Sequence, residues 1–124
     1  MRELIKIYKI LSDESRLRVL LLLQEKECCV CEVMQALDIS QSKASRILGA
    51  LYDVGFLRLR KDGLWALYSM NRDGMNAFQK DILKTTITAY EDNEQTLTDR
   101  ERLKRAERVG PRYVEKARSN KASV

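Results

Sequence analysis

The sequence predicts a mainly α-helical domain that carries one β-hairpin, and therefore an α+β fold. Apolar residues recur at helical spacing up to residue 55, whereas from Phe56 apolar and polar residues alternate. An Asp-Gly pair separates the two alternating runs, as is typical of a hairpin turn. The chain has 124 residues with 44% apolar content, which is enough for one compact domain with its own core.

The first two predicted helices form the centre of this domain. Apolar residues between Leu4 and Leu11 follow helical spacing, and Ser12 and Asp13 then provide a cap for the next helix. That second helix is apolar nearly all round from Val19 to Leu23, which is typical of a buried helix.

Two further helices joined by a tight turn follow. The first has apolar residues at i, i+3, i+4 and i+7, namely Val30, Val33, Met34 and Leu37. Residues 38–40 make the turn, Ser40 is a good N-cap, and a second apolar stripe runs from Ala44 to Leu51 before Gly55 stops the helix. This order predicts a helix-turn-helix.

The polar face of the second of these helices suits the major groove of DNA. Its side chains are mostly short or hydrogen-bonding, with one arginine in the early turns, and such groups distinguish base pairs. The residues predicted to bind DNA on this helix are Ser40, Gln41, Ser42, Lys43, Ser45 and Arg46. The alternative is an ordinary solvated helix surface.

The hairpin that follows is predicted to act as a wing. Leu57 and Leu59 alternate with arginines, and a second run extends from Leu64 to Met70. We expect Arg58, Arg60 and Lys61 to contact DNA phosphates, which makes the fold a winged helix-turn-helix. The alternative is an edge ribbon without a binding role.

Three cysteines, Cys28, Cys29 and Cys31, lie at the start of the helix-turn-helix in a chain without histidine. No secretion signal or membrane-spanning run is recognised, so a cytoplasmic location is expected, where crowded thiols favour a metal or redox role over a disulfide framework. In a regular helix Cys29 and Cys31 would point about 200° apart. Ligation by all three therefore requires residues 28–31 to be extended or unwound, unless the cysteines are only small buried hydrophobes.

Three stretches resemble the ArsR/SmtB repressors: Leu11–Arg18 (LSDESRLR), Glu27–Val33 (ECCVCEV) and Ala36–Leu51 (ALDISQSKASRILGAL). The arsenic-responsive branch is especially similar, because its Cys-Val-Cys signature is matched by Cys29, Val30 and Cys31. The resemblance spans roughly residues 4–90. It implies a homodimeric repressor of operator DNA that is released when As(III) or Sb(III) binds the thiols, without an organic cofactor or a membrane partner.

The chain departs from the pattern of that branch at Met34, where a third cysteine is common. Cys29 and Cys31 are therefore the firmer metal-ligand candidates, and the third ligand is Cys28, water or a buffer thiol. Two positions where the family often has histidine are Ile47 and Leu67 here. The absence of histidine argues against a zinc or nickel site of the histidine–carboxylate type, whereas thiolates also suit mercury, cadmium, lead or copper(I).

Charge and resemblance together divide the chain into two parts. Residues 1–98 carry 14 basic and 14 acidic side chains, whereas residues 99–124 carry 9 and 4, so the net charge of +5 comes from the tail. We therefore assign 1–92 to a DNA-binding and dimerisation domain and 93–124 to a charged helical extension with a basic tail. A capping box at Thr98 and Glu101 is expected to open that helix, and Gly110-Pro111 to end it.

Two other functions remain open from the sequence. A repressor of the same fold could respond to thiol oxidation or persulfide instead of metalloid, or the chain could bind DNA constitutively. An enzyme is not expected, because there is no histidine base beside the cysteines and no convergent acid pair or phosphate-binding loop.

Overall fold

The computed structural model describes residues 1–109, which contain six helices and a three-stranded sheet, so the predicted α+β fold with a hairpin is confirmed. The elements are α1 (Arg2–Leu11), α2 (Glu14–Leu23), β1 (Cys28–Cys29), α3 (Val30–Leu37), α4 (Gln41–Asp53), β2 (Leu57–Asp62), β3 (Trp65–Met70), α5 (Ala77–Tyr90) and α6 (Glu94–Arg105).

Helix α2 is the central element of the core, as predicted. Its N-cap is Asp13, whose carboxylate accepts a hydrogen bond of 3.0 Å from the backbone N–H of Arg16. Every side chain from Val19 to Leu23 is buried. Because a fully buried leucine contributes about 1.5–3 kcal/mol to folding, this run is a major source of stability.

Helices α3 and α4 form the predicted helix-turn-helix. The turn between them passes through Asp38, which has a left-handed backbone with φ of 54°. The hydroxyl of Ser40 accepts the backbone N–H of Lys43 at 3.2 Å and caps α4. Gly55 follows the end of α4 and leads the chain into the sheet. Its φ of 92° would be strained for a residue with a side chain.

The sheet has the order β1-β3-β2, with both pairs antiparallel. Strands β2 and β3 form the predicted hairpin, but its two-residue turn is Gly63-Leu64 and not the expected Asp62-Gly63, because Asp62 pairs with Trp65 as the last residue of β2. Gly63 has φ of 61°, as the first central residue of a tight hairpin turn requires. The third strand, β1, was not predicted, and it pairs Cys28 with Tyr68 and Cys29 with Leu67.

Helices α5 and α6 both begin at an asparagine cap. The side-chain oxygen of Asn76 caps α5 by accepting the backbone N–H of Gln79 at 2.9 Å. Asn93 caps α6 by accepting the backbone N–H groups of Gln95 and Thr96 at 3.0 and 3.2 Å. The predicted capping box at Thr98 and Glu101 is therefore wrong, because both lie inside a helix that has already begun. The predicted stop at Gly110-Pro111 lies outside the described residues.

Helix α6 packs on the same core as the helix-turn-helix. Leu103 is buried in that core, and Asp99 is buried beside α2. The Arg18 guanidinium donates two hydrogen bonds to the Asp99 carboxylate, at 3.0 and 2.9 Å. The division at residue 92 stays a prediction about function, but residues 94–105 are not a separate structural unit.

No helix within residues 1–109 combines the length and the apolar character needed to cross a bilayer.

We expect Asp99→Ala to lower the free energy of unfolding by about 3 kcal/mol, because it leaves the Arg18 guanidinium largely buried without its partner. Urea denaturation measures this loss. Glu101→Ala is the matched control, since the Glu101–Lys104 pair is exposed and contributes at most about 1 kcal/mol. Equal losses in the two variants would contradict the role given to the buried pair.

Candidate functional site

The first turns of α4 present the predicted DNA-binding residues on the side away from the core. Ser42, Lys43, Ser45 and Arg46 are exposed, whereas Ala44 and the rest of the apolar stripe are buried. Gln41 is half-buried, and Ser40 is exposed but uses its hydroxyl in the helix cap. The six residues therefore form one polar surface, and their contact with DNA stays a prediction.

Arg16 extends this polar surface beyond α4. It lines a shallow cleft of about 250 Å³ together with Asp13, Lys43, Arg46 and Ile47. Arg16 was not among the residues predicted to bind DNA, because only the packing of α2 against α4 brings the first turn of α2 beside α4. A third cation thus lies next to Lys43 and Arg46.

The wing carries its three predicted cations differently. Arg58 and Lys61 are exposed on β2. The guanidinium of Arg60 donates hydrogen bonds of 2.9 and 2.7 Å to the two carboxylate oxygens of Glu27, just before β1. This bond to Arg60 holds the pKa of Glu27 below its usual value. Arg60 therefore connects the wing to the cysteine segment, and Arg58 and Lys61 are the more available cations.

Cys29 and Cys31 come together at the start of α3. Cys29 is the extended N-cap residue and Cys31 lies in the first turn, with their Cα atoms 5.4 Å apart and their sulfurs joined as a disulfide. Both pack against Leu67 of β3 in a small cluster apart from the main core. Because α3 begins only at Val30, the two sulfurs meet without any loss of helix, and the expected unwinding is unnecessary for this pair.

Cys28 points away from the other two cysteines. Adjacent residues of a strand face opposite sides, so Cys28 belongs to the main core whereas Cys29 does not. Its sulfur lies 3.4 Å from the carbonyl oxygen of Lys26. Burial is the main reason that the pKa of Cys28 is raised to about 12. In this conformation Cys28 is separated from the proposed ligands Cys29 and Cys31.

Within the described part of the chain, no three cysteine, aspartate, glutamate or histidine side chains are grouped so that they could hold a metal ion. Met34 packs beside the Cys29–Cys31 pair, in agreement with its place in the motif, and offers only a thioether. Ile47 and Leu67, at the positions where histidine is common, are buried. The pair therefore supplies two thiol ligands and no third one.

A fully buried carboxylate, Glu32, organises the residues around the cysteine pair. Its oxygen Oε1 accepts the backbone N–H of Cys29 at 3.0 Å and Nε of Arg108 at 2.8 Å, and Lys26 forms an ion pair with Oε2. Burial by itself would raise the pKa of Glu32, but the ion pair with Lys26 and the hydrogen bonds from the Cys29 backbone and Arg108 lower it overall. Glu32 thus stays ionised at neutral pH and anchors the start of α3.

The chain that follows α6 returns to the cysteine pair. Gln35 donates from Nε2 to the carbonyl oxygen of Glu107 at 2.8 Å and accepts the backbone N–H of Glu107 at 3.1 Å. Val109 packs against the cluster of Cys29, Cys31 and Leu67. The sequence patterns did not predict a role for Glu32, Gln35 or Arg108. Only Glu32 has a local signal, because it stands three residues after the N-cap, as in a capping box.

The helix-turn-helix, the hairpin beside it and the exposed polar face of α4 define a winged helix-turn-helix DNA-binding protein. The family described as "Bacterial regulatory protein, arsR family" matches residues 13–58. The chain is also 40% identical over 94 residues to the arsenic resistance transcriptional regulator ArsR2 of Pseudomonas putida, covering 75% of this chain and 78% of that protein. The chain belongs to the arsR family.

Two further similarities agree with this assignment. The arsenical resistance operon repressor of Escherichia coli is 48% identical over 68 residues, which cover 54% of this chain and 58% of the repressor. The match therefore spans less than two thirds of that relative. The homodimeric winged helix-turn-helix DNA-binding domain Mb0332 of Mycobacterium bovis superposes with a TM-score of 0.61 at 20% identity, covering 75% of this chain and 82% of that domain, and supports the fold.

Iodoacetamide at pH 8 is expected to leave Cys28 unmodified in the native double variant Cys29→Ser/Cys31→Ser. The thiol is buried, and with a pKa of about 12 only about one molecule in ten thousand carries the thiolate at that pH. Mass spectrometry measures the modification, and the same protein in denaturant is the positive control. Rapid alkylation of the native variant would contradict the placement of Cys28 in the core.

Proposed function

We propose that this chain is a transcriptional repressor that binds operator DNA as a homodimer and is released when As(III) or Sb(III) binds Cys29 and Cys31. The relatives named as arsenic repressors support the arsenic response. The observation that carries the proposal is the convergence of Cys29 and Cys31 at the junction of strand β1 with helix α3.

The chemistry of the pair fits a trivalent, thiophilic element. In the reduced protein each of the two thiols gives up a proton and forms a sulfur–arsenic bond. Two hydroxide groups of arsenous acid take up these protons and leave as water, so no electrons are transferred. The two cysteines supply two of the three bonds that trivalent arsenic makes, and the third ligand is the remaining hydroxide or a small thiol, because Cys28 lies in the main core.

The position of the pair couples it to both DNA-binding elements. Cys29 is paired with Leu67 of β3, so it is continuous with the wing. Its backbone N–H is held by Glu32 at the start of α3, the helix that supports α4. A ligand that changes the separation of the two sulfurs must act on both contacts. By thermodynamic reciprocity, the ligand and the operator then weaken each other's binding by the same factor.

The dimer is proposed to form through α1 and α5. These helices leave large apolar side chains exposed, including Ile5, Tyr8 and Tyr90. A two-fold pairing through this surface places two α4 helices on one side of the dimer, where they read half-sites about one DNA turn apart, roughly 34–36 Å. Arg58 and Lys61 of each wing then contact the flanking phosphates.

Titration of arsenite into the reduced protein on labelled operator DNA tests the arsenic response. We expect the fluorescence anisotropy to fall at stoichiometric arsenite, in an excess of non-thiol reductant and at fixed salt. Cys29→Ser and Cys31→Ser should bind the operator but not be released, because one thiol cannot form the two-sulfur chelate. Cys28→Ala is the matched control and should be released like the wild type. Release of both serine variants would refute the site.

The joined sulfurs of Cys29 and Cys31 favour one second candidate, a repressor of the same fold that responds to thiol oxidation. Oxidation of the two thiols to the disulfide releases two electrons and two protons to the oxidant. The same anisotropy assay separates the two functions. A redox sensor leaves DNA on addition of peroxide and returns with reductant, and it does not respond to arsenite while the reductant is present.

The recognition surface is tested separately from the inducer site. We expect Arg46→Ala to weaken operator binding by about 1–3 kcal/mol, because it removes a guanidinium from the first turns of α4. Lys104→Ala on α6 is the charge-matched control and should have little effect. Arsenite should still bind the Arg46→Ala protein. Unchanged affinity for the operator would exclude Arg46 from the interface.

A further inference from the structure

We propose that residues 106–109 form a cover over the Cys29–Cys31 pair, and that Gln35 and Arg108 hold this cover shut and so control which thiol-binding ligands reach the sulfurs. The identity of the natural ligand rests on the function proposed above. The cover and its two attachments are properties of the described structure and are tested without arsenic.

The cover closes the side of the cysteine pair that no helix or strand closes. On one side Leu67 of β3 is fully buried against both cysteines. On the other, Val109 packs against the pair and the carbonyl oxygen of Glu107 lies 4.0 Å from the sulfur of Cys31. Cys29 and Cys31 are consequently only 3% and 4% exposed. Residues 106–109 are neither helical nor in a strand, so this is the side that can open.

The first attachment is a pair of hydrogen bonds from one side chain to one backbone residue. The amide of Gln35 both donates to and accepts from the backbone of Glu107, at 2.8 and 3.1 Å. It also donates to the carbonyl oxygen of Cys31 at 3.0 Å. Gln35 thus joins the cover to Cys31, the residue beneath the cover. The side chain of Gln35 lies on the outer side of α3, so its removal leaves no cavity in the core.

The second attachment uses charge. Arg108 donates from Nε to Glu32 at 2.8 Å and from its terminal nitrogen to the carbonyl oxygen of Glu27 at 2.9 Å. Charge-assisted bonds of this kind are about twice as strong as neutral ones. When the cover opens, Glu32 keeps its contacts with Lys26 and the Cys29 backbone but loses the hydrogen bond from Arg108. Opening therefore weakens the contacts that hold the start of α3.

The closed cover competes with a ligand on the two sulfurs. Arsenic held by Cys29 and Cys31 keeps a third substituent, and β3 blocks one direction for it, so it must project toward the cover. The apparent affinity is then lowered by the fraction of molecules that are open. Gln35 and Arg108 therefore act as positioning residues that set the affinity, the rate of entry and the largest ligand admitted.

Alkylation of Cys29 and Cys31 in the reduced protein tests the cover directly. Iodoacetamide and a bulkier fluorescein iodoacetamide share the same chemistry, so their rate ratio measures access. We expect Gln35→Ala and Arg108→Ala to react about tenfold faster than the wild type, with the larger gain for the bulkier reagent. Glu101→Ala, which removes an exposed carboxylate of α6, is the matched control and should react at the wild-type rate.

Cys28 serves as an internal control for unfolding, because it lies in the main core and not under the cover. If a variant merely unfolds more often, Cys28 is alkylated faster as well, and equal acceleration of all three cysteines would overturn the proposal. Wild-type alkylation rates in both variants would overturn it too. The expected pattern is acceleration confined to Cys29 and Cys31.

Arsenite binding links the cover to the function. Trp65, the single tryptophan of the chain, packs beside the cysteine pair, so its fluorescence reports occupancy. We expect arsenite to bind both variants faster and more tightly than the wild type. Selective alkylation together with no arsenite binding by any form would support the cover and refute the proposed arsenic response. Weaker arsenite binding by both variants would refute the competition between cover and ligand.

Discussion

The arrangement of the cysteine site depends on the neutralisation of one buried charge, the carboxylate of Glu32. A buried carboxylate is costly unless donors surround it, and here the donors come from three different parts of the chain: Lys26 before β1, the backbone of Cys29, and Arg108 after α6. The contacts that neutralise the Glu32 carboxylate therefore hold the start of α3, the extended backbone of Cys29 and the path of the chain beyond α6. The two cysteines meet where these donors converge on the start of α3.

The same constraints explain how a small site can reach the DNA-binding surface. Cys29 is bonded to the wing through β3, and Arg60 of the wing is bonded to Glu27 beside the cysteine segment. Cys31 belongs to the helix that carries α4 through the Asp38 turn. In the repressor proposed above, a change at the sulfurs reaches the DNA-binding surface through hydrogen-bonded backbone and packed helices, and no long side-chain pathway is needed.

The chain also separates three cysteines that are neighbours in sequence into two chemical environments. Because side chains alternate along β1, the side chain of Cys28 points into the apolar core, where burial raises its pKa. The side chain of Cys29 points the other way, toward Cys31 beside the wing. One thiol is made inert while two are brought together. Met34 packs beside the cysteine cluster and offers only a thioether, so the arsenic site proposed above takes its third ligand from outside the pair.

The sequence by itself determined the elements whose signals are local: the buried helix α2, the helix-turn-helix with its Ser40 cap and Gly55 stop, and the hairpin that turns at Gly63. Periodicity, capping and turn chemistry act over a few residues, so they can be read without the fold. The tertiary structure alone decided the strand β1, the division of Cys28 from Cys29 and Cys31, and the early start of α6 at Asn93. It also decided the contact between Arg108 and the buried Glu32, because that contact joins residues 76 positions apart and exists only once α6 has packed on α3.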